Sequence, residues 1–365
     1  MYTKKMTKID FIVILIIITV STASGFDQLF EYKLKYVKKQ KPEKNWTMLS
    51  VDKSFSLDQN DANSFLTMPA CMKTKNGKIY ILENGRHRLI VFSQDGKFLR
   101  YLGRRGKGPG DLYHPAWFDF FKENIYIINN NGFDIFGKNL GFKNRVRTFF
   151  SISQFSIYDN HIYCPVKTYK KEFPLFLKMD MNGIVKNTIN VNDKDMDKSL
   201  ITKKSKKGFL LNSVDNVVYV PKHWNKIFIF GNDLKLKNKI KIKDDLLNNI
   251  ENWNSLYLDK MTSRSVWFSN LFASAELCNG RIYLLVNIPR LEIISIDLDG
   301  NILDYFYNDH DFKLMRWIDF AVQEKNDKTC FYVMGYSIGD LADDDKVEIS
   351  VYRLTANGNN TSKNR

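Results

Sequence analysis

Two short runs decide the fold of this chain: GKIYIL at 77–82 and LIVFSQDG at 89–96. Both consist mainly of β-branched, aromatic and other large apolar residues, which favour β-strands. The second run ends in Asp95-Gly96, a dipeptide typical of tight hairpin turns because glycine adopts positive φ angles without steric cost. The pair of runs therefore predicts two antiparallel strands followed by a turn into another strand.

The same pair of runs recurs along the chain, each time with a tyrosine in the first run. These anchor tyrosines are Tyr80, Tyr126, Tyr163, Tyr219, Tyr283 and Tyr332. Their spacings of 46, 37, 56, 64 and 49 residues match the length of a four-stranded propeller blade. An apolar stretch precedes each pair and predicts the innermost strand of its blade, at 70–72, 116–120, 155–157, 209–211, 271–275 and 317–322.

These repeats predict an all-β chain folded as a six-bladed β-propeller with four-stranded antiparallel blades. A blade cannot bury both of its faces alone, so neighbouring blades must stack around an axis and the ring must close. The run from Trp46 to Phe55 precedes the first blade, and we expect it to close the ring as the outermost strand of the sixth. The predicted propeller spans 46–354, and a polar tail covers 355–365.

The segment 77–115 carries the most specific signature in the chain. It combines the first pair of runs with Arg86-His87-Arg88 and with the glycine-rich run GKGPGDLYHP at 106–115. This signature resembles an NHL repeat, and it is similar to exported six-bladed β-propeller proteins common in Bacteroidetes. The other blades keep only the strand pattern and some Asp-Gly or Asn-Gly turns. The resemblance implies the fold but not an activity, because propellers host binding modules, hydrolases and lyases.

The N-terminus predicts export. Three lysines within the first ten residues precede the apolar run FIVILIIITV at 11–20, and small residues at 21–25 provide a site for a signal peptidase. We therefore expect a signal peptide over 1–25 and a linker over 26–45. The mature protein would then be periplasmic, attached to the cell envelope or extracellular. The alternative is an uncleaved leader that anchors the chain in the membrane.

The composition is that of a folded, basic protein. The chain has 365 residues, of which 44% are hydrophobic and 14% aromatic, so a large core is available and wholesale disorder is excluded. Its 55 Lys and Arg exceed its 40 Asp and Glu, which gives a formal net charge of +15. Such an excess attracts anionic polymers, lipid headgroups or phosphorylated ligands. The alternative is that scattered surface lysines reflect composition and serve no partner.

Alternating strand direction places the longer loops of a propeller on one rim. This rim carries the candidate ligand-binding residues, which are Arg86, His87, Arg88, Arg104, Arg105, His114, His223, Trp224, Arg290 and Arg316. Arginine donates paired hydrogen bonds to carboxylate, sulfate or phosphate groups. We therefore expect an exported binding scaffold whose rim recognises an anionic glycan or a protein partner. Ordinary solvated loop charges are the alternative.

A metal-assisted lyase or lactone hydrolase at the central channel is the alternative function. Amidating lyases with NHL-like propellers arrange histidines around zinc, and the candidates here are His87, His114, His223 and His310. Lactonase-type propellers bind calcium through inner-strand residues, and the candidates here are Asp119, Asn212, Asn270 and Asp319. Histidines from distant blades converge poorly, and inner-strand aspartates can bond to backbone instead. We therefore expect neither a cofactor nor an enzymatic activity. A calcium or zinc ion bound in the channel is the alternative.

The sequence contains no motif of the common hydrolases, nucleotide-binding proteins or zinc proteases. The chain lacks a Gly-x-Ser-x-Gly elbow, a Gly-x-x-x-x-Gly-Lys-Ser/Thr phosphate loop and a His-Glu-x-x-His pair. Its cysteines, Cys71, Cys164, Cys278 and Cys330, form no Cys-x-x-Cys unit, so we expect no structural zinc site. Export argues against nucleic acid as a partner. We expect a monomer that touches a membrane only through an uncleaved leader.

Overall fold

The computed structural model describes residues 46–56, 68–130, 132–166, 174, 176–189, 208–245, 247–248, 251, 271–288, 290–308, 315–325, 328–337 and 349–356. Their strands form four four-stranded sheets and one eight-stranded sheet. The eight-stranded sheet consists of two blades joined by one strand, so the described residues build six blades. The predicted all-β, six-bladed propeller is confirmed.

Blades 1 to 3 follow one another along the chain, each from its innermost to its outermost strand. Blade 1 contains β2 (Pro69–Lys75), β3 (Lys78–Glu83), β4 (Arg88–Ser93) and β5 (Phe98–Leu102). Blade 2 contains β6 (Phe118–Phe121), β7 (Asn124–Ile128), β8 (Gly132–Phe136) and β9 (Phe142–Arg147). Blade 3 contains β10 (Ser156–Tyr158), β11 (His161–Pro165), β12 (Phe176–Asp180) and β13 (Val185–Ile189).

Blades 4 and 5 repeat this order, and blade 6 takes its outermost strand from the start of the described chain. Blade 4 contains β14 (Gly208–Asn212), β15 (Asn216–Pro221), β16 (Ile227–Gly231) and β17 (Leu236–Ile240). Blade 5 contains β18 (Phe272–Cys278), β19 (Arg281–Val286), β20 (Leu291–Ile296) and β21 (Ile302–Asn308). Blade 6 contains β22 (Met315–Lys325), β23 (Lys328–Ser337), β24 (Ile349–Ala356) and β1 (Trp46–Ser56).

The anchor tyrosines lie in the second strand of each blade and explain the repeat. Four of them, Tyr163, Tyr219, Tyr283 and Tyr332, are among the largest fully buried side chains of the protein. The Tyr332 hydroxyl accepts a hydrogen bond from Gln94 Nε2 of blade 1 (2.6 Å), and the Tyr283 hydroxyl donates to Glu324 of blade 6. In these blades the ring fills the apolar interface while the hydroxyl bonds to the neighbouring blade.

Strand β1 closes the ring as expected, because Leu49 to Ser56 pairs antiparallel with β24. A second pairing was not predicted: the first residues of β1 run parallel to β21 of blade 5. There Trp46 stacks on Tyr305 with ring centroids 5.1 Å apart, and Asn308 Nδ2 donates to Leu49 O (2.6 Å). One strand therefore fastens blade 5 to blade 6.

Two boundaries differ from the sequence-based expectations. Strand β24 continues to Ala356, beyond the predicted end of the propeller at 354. Arg316, expected in a rim loop, belongs to β22, where its backbone pairs with Tyr336. Among the helical segments of the described chain, none is long and apolar enough to cross a membrane.

Candidate functional site

Residues 103–117, named here the junction loop, connect β5 of blade 1 to β6 of blade 2 on the rim. The loop folds back on itself, because Leu112 N donates to Arg104 O (2.8 Å) and Gly106 N donates to Leu112 O (3.2 Å). The Leu112 side chain is fully buried in the core between the two blades. Gly103 has a φ of 82°, and a Cβ there would lie 2.5 Å from the Leu112 side chain. Only glycine permits this fold-back without displacing Leu112.

Arg145 of β9 fastens the junction loop to blade 2. Its Nε and one terminal nitrogen bond to the two carboxylate oxygens of Asp134 at 2.5 and 2.9 Å. The terminal nitrogens also donate to the carbonyl oxygens of Lys107 (2.9 Å), Gly108 (3.1 Å) and Asp111 (3.1 Å). Because Asp134 is fully buried, its charge depends on this guanidinium for compensation. The Arg145 guanidinium thus acts as a structural clamp, because its hydrogen bonds join the junction loop to Asp134.

The side chain of Asn129 also holds the loop, beside Arg145, and its Nδ2 bonds to the same Asp134 carboxylate. Its Oδ1 accepts a hydrogen bond from Tyr113 N (2.6 Å), and its Nδ2 donates to Asp111 O (3.0 Å). Asn129 is itself buried at the end of the second strand of blade 2. Side chains of blade 2 therefore fix the path of the junction loop at several successive backbone groups.

A cavity of about 320 Å³ opens between the junction loop and blade 2, and it is named here the junction cavity. Its walls carry Lys107, Tyr113, Asn130, Arg145 and Arg147. Lys107 and Arg147 are exposed, and within the described ranges neither forms an ion pair with a carboxylate. The Lys107 ammonium lies 5.7 Å from the centre of the Tyr113 ring. The junction cavity is therefore electropositive and open to an anion.

His87 supports the junction loop from blade 1. Its ring is buried, and its Nδ1 accepts a hydrogen bond from His114 N at 2.9 Å, so this nitrogen carries no proton. The ring stacks on Tyr113 with centroids 5.8 Å apart. Burial lowers the pKa of His87, and the nearby charges of His114 and Arg105 lower it further. His87 was predicted to contact ligand, and the structure places it behind the cavity wall.

Acid should loosen this support. The pKa of His87 is lower in the folded chain than the ordinary value of 6.5, so the unfolded chain takes up a proton at this position first as the pH decreases. Folding stability therefore decreases as the pH is lowered through 6.5. Replacing His87 with asparagine keeps an acceptor and tolerates the φ of 57°. We expect the melting temperature of H87N to fall less between pH 7.5 and pH 5.5 than that of the unaltered protein. Equal falls, measured by calorimetry at both pH values, would contradict this assignment.

The structure brings part of the predicted set together at the junction of blades 1 and 2. Arg104, Arg105 and His114 lie on the junction loop beside His87. Exposed Arg104 bonds to Asp111 at 2.8 Å, and this bond lowers the pKa of the Asp111 carboxyl.

Two further candidates lie where the loop between β3 and β4 ends: Arg86 is in this loop, and Arg88 is the first residue of β4. Arg86 is exposed there, whereas Arg88 is buried and pairs with Glu83 at 2.7 Å. The Arg88 charge is therefore compensated inside the protein.

The remaining candidates lie on other blades and do not converge on this junction. His223 is fully buried and Trp224 half-buried in the loop between β15 and β16. Arg290 of blade 5 pairs with Glu292, and its guanidinium lies 5.3 Å from the centre of the Trp46 ring in β1. The Arg316 backbone lies in β22 of blade 6. Among the described residues, Arg88 and Arg290 are thus paired with glutamates, whereas Lys107 and Arg147 lie at the junction cavity without a carboxylate partner.

Sequence analysis did not select Lys107, Tyr113, Asn129, Arg145 or Arg147 as site residues. Arg145 and Arg147 belong to β9, an outermost strand, whereas the sequence indicated ligand-binding groups on rim loops and innermost strands. One signal was available for Arg145. The apolar strand GFDIF at 132–136 contains a single carboxylate, and a buried carboxylate requires a partner.

Charged side chains from three blades meet on the propeller axis. The Lys73 ammonium of β2 lies 3.5 Å from Asp119 Oδ1 of blade 2 and 4.0 Å from Glu276 Oε1 of blade 5. Burial raises the pKa of Glu276 to about 7, although the Lys73 charge opposes the shift. Trp117 lies over this ammonium, 5.5 Å from ring centre to nitrogen, and packs against the apolar cluster of blades 4 and 5. The indole therefore shields this ammonium on one face.

Asp319 of β22 joins three innermost strands beside this group. Its carboxylate accepts hydrogen bonds from Met72 N of blade 1 (2.7 Å), from Phe320 N (2.9 Å) and from the Ser274 hydroxyl of blade 5. Asp119 likewise accepts a bond from Phe120 N (2.9 Å). The expectation that inner-strand aspartates bond to backbone is met at both positions.

The axial carboxylates face a cation that the chain itself supplies, the Lys73 ammonium. Across the described ranges, no group of three or more histidine, cysteine, aspartate or glutamate side chains is arranged to hold a metal ion. Asn212 ends β14 of blade 4. His310 and Asn270, the other candidates, lie outside the described residues.

The sequence matches one protein family, and the fold matches several solved structures. Residues 31–256 match the DUF5128 family, which is described as a 6-bladed beta-propeller. This match covers more than half of the chain. No functionally curated protein matches the sequence.

Several solved structures share the fold at low sequence identity. A Bacteroides fragilis protein assigned as exported is 15% identical, with a TM-score of 0.53 over 84% of this chain and 94% of that one. A Bacteroides vulgatus protein of the DUF4221 family is 10% identical, with a TM-score of 0.53 over 86% and 99%. A streptogramin B lyase is 13% identical, with a TM-score of 0.50 over 83% and 97%. At such low identity these likenesses show only a shared fold. The family match over residues 31–256 shows more: this chain belongs to the DUF5128 family of 6-bladed β-propellers.

Proposed function

We propose that this protein is an exported β-propeller scaffold that binds an anionic ligand, carried by a glycan or a protein partner, at the junction cavity on its rim. One observation carries the proposal: Lys107 and Arg147 lie at a cavity and have no carboxylate partner among the described residues. An anion that enters the cavity would meet both charges at once.

The construction of the cavity supports a binding role. The bonds of Arg145 and Asn129 fix the junction loop before any ligand arrives, so little conformational entropy is lost on binding. Arg145 also lines the cavity, but its guanidinium is bonded to Asp134 and to loop carbonyl oxygens. Lys107 and Arg147 are therefore the recognition groups of this proposal. Loops held on a rigid ring are common positions for binding residues.

Export rests on the leader pattern of residues 1–25, with its lysines, apolar run and small residues. The similar Bacteroides fragilis propeller, itself assigned as exported, agrees with that pattern. An exported protein would meet cell-surface or extracellular polymers, many of which are anionic.

Catalysis by a metal-assisted lyase or lactone hydrolase at the channel has less support. Lys73 already lies between Asp119 and Glu276, and Asp319 is committed to bonds with three inner strands. The streptogramin B lyase shares the fold, which hosts many unrelated activities.

Charge reversal at the cavity tests the proposal. We expect the double variant K107E/R147E to bind heparin and poly-glutamate at least about tenfold more weakly than the unaltered protein in low salt, because two attractive charges become repulsive. Binding by the unaltered protein should also weaken as salt rises. Titration calorimetry at 50 and 300 mM salt would measure both effects.

The matched control is K97E, which reverses an exposed lysine on the turn between β4 and β5. Its affinity should stay within about twofold of the unaltered protein, because an isolated exposed charge contributes little. The proposal is wrong if the unaltered protein binds neither polyanion, or if K97E loses as much affinity as the double variant.

A further inference from the structure

The size of the junction cavity limits what can enter it. Its volume of about 320 Å³ lies at the lower end of the range for small-molecule sites, which is roughly 300 to 1,000 Å³. A single ring with its substituents fits such a space, whereas a longer segment would have to continue outside. The ligand that the cavity takes is therefore one unit of a larger molecule or a small free acid.

The walls indicate a unit that is both anionic and rich in neutral polar groups. Lys107 lies on the junction loop and Arg147 at the end of β9, so a negative group would be approached from two sides. The amide of Asn130 and the phenol of Tyr113 are neutral donors and acceptors on the same walls. Hydroxyl groups both donate to and accept from such side chains, whereas a bare sulfate ion can only accept from them.

Phe149 extends the site beyond the cavity. It follows Arg147 by two residues, so the two Cα atoms lie within about 7 Å of each other. Its neighbours are anchored, since the Thr148 hydroxyl donates to Phe150 O (3.0 Å) and Phe150 packs on the core of blades 2 and 3. Yet the Phe149 side chain is fully exposed, at 104%. A large aromatic ring held in solvent beside a polar cavity is suited to cover an apolar surface of a ligand.

We propose that the junction cavity binds one acidic sugar unit, a hexose carrying a carboxylate or a sulfate, and that the next unit of the polysaccharide lies on Phe149. A sugar ring combines hydroxyls at its edge with a face of C–H groups, and the two parts of the site match these in turn. This inference rests on the proposed anion-binding function and names the ligand class for the same cavity.

Calorimetry with defined sugars tests this inference. Glucuronate, N-acetylglucosamine 6-sulfate and a galacturonate trimer are the acidic probes, and glucose and maltotriose are the neutral ones. We expect the galacturonate trimer and at least one acidic monosaccharide to bind, and the neutral sugars to bind at least about tenfold more weakly. The better monosaccharide identifies the acidic group as carboxylate or sulfate.

Two single substitutions separate the cavity from the aromatic platform. R147A should weaken binding of both the acidic monosaccharide and the galacturonate trimer. F149A should weaken only the trimer, by about three- to tenfold, the effect expected for loss of one stacking contact. The control Y101A removes another exposed aromatic ring, on β5, and should change neither affinity.

The outcomes distinguish this inference from the proposed function. If the polyanions bind in a K107E/R147E-sensitive manner but no acidic sugar binds, the sugar assignment is overturned and anion binding stands. If no anion of any kind binds, both fall. If F149A weakens the monosaccharide and the trimer equally, or neither of them, the extended site is wrong.

Discussion

Replacing Arg145 with methionine should lower the free energy of unfolding by about 3–5 kcal/mol, because the fully buried Asp134 carboxylate would lose its compensating charge. The junction loop would also lose the bonds from Arg145 to three carbonyl oxygens. The measurement is urea unfolding at neutral pH, followed by tryptophan fluorescence.

Two companion variants sharpen this test. R147M makes the same substitution two residues further along, where the side chain is exposed, and should change stability by no more than about 0.5 kcal/mol. The double variant R145M/D134L removes the buried charge together with its partner, and should be more stable than R145M alone. A single variant R145M as stable as R147M would show that the clamp does not stabilise the fold.

Replacing Asp319 with alanine should cost about 3–5 kcal/mol of stability. The amides of Met72 and Phe320 and the hydroxyl of Ser274 would all lose their acceptor in a buried position. Each unsatisfied buried donor costs about 1–3 kcal/mol, and the three groups join blades 5, 6 and 1 at the axis.

The conservative variant D319N discriminates between loss of an acceptor and loss of a charge. Phe320 N and the Ser274 hydroxyl share Oδ1, whereas Met72 N donates to Oδ2, so asparagine can keep the shared acceptor and loses the other. It also avoids burying a charge and should therefore cost less than D319A. Urea unfolding of both variants at the same pH provides the comparison. Equal losses would mean that the carboxylate charge, and not the hydrogen bonds, holds the strands together.

Much of the propeller could be predicted from the sequence, because its blade pattern is local. Strand alternation, hairpin dipeptides and the recurring tyrosine all act within a few residues of chain, and six copies reinforce one another. The closing strand was predicted for the same reason. Its parallel pairing with β21 was not, because nothing near Trp46 in the chain indicates that Tyr305 lies beside it.

The candidate site was predicted only in part. The sequence located basic residues on the rim, and His87, Arg105 and His114 do meet at one junction. It did not indicate which charges are already compensated. Arg88 and Arg290 pair with Glu83 and Glu292 across or beside their own strands, so their contribution to an anion site is small.

Composition, periodicity and turn dipeptides thus determined by themselves that the chain is a basic, all-β propeller. Only the tertiary structure decided that Arg145 serves as a clamp and that Lys107 and Arg147 retain uncompensated charge beside a cavity. The physical reason is distance. Backbone pattern depends on neighbours along the chain, whereas charge compensation depends on groups such as Lys73 and Glu276, which are far apart in sequence and adjacent in space.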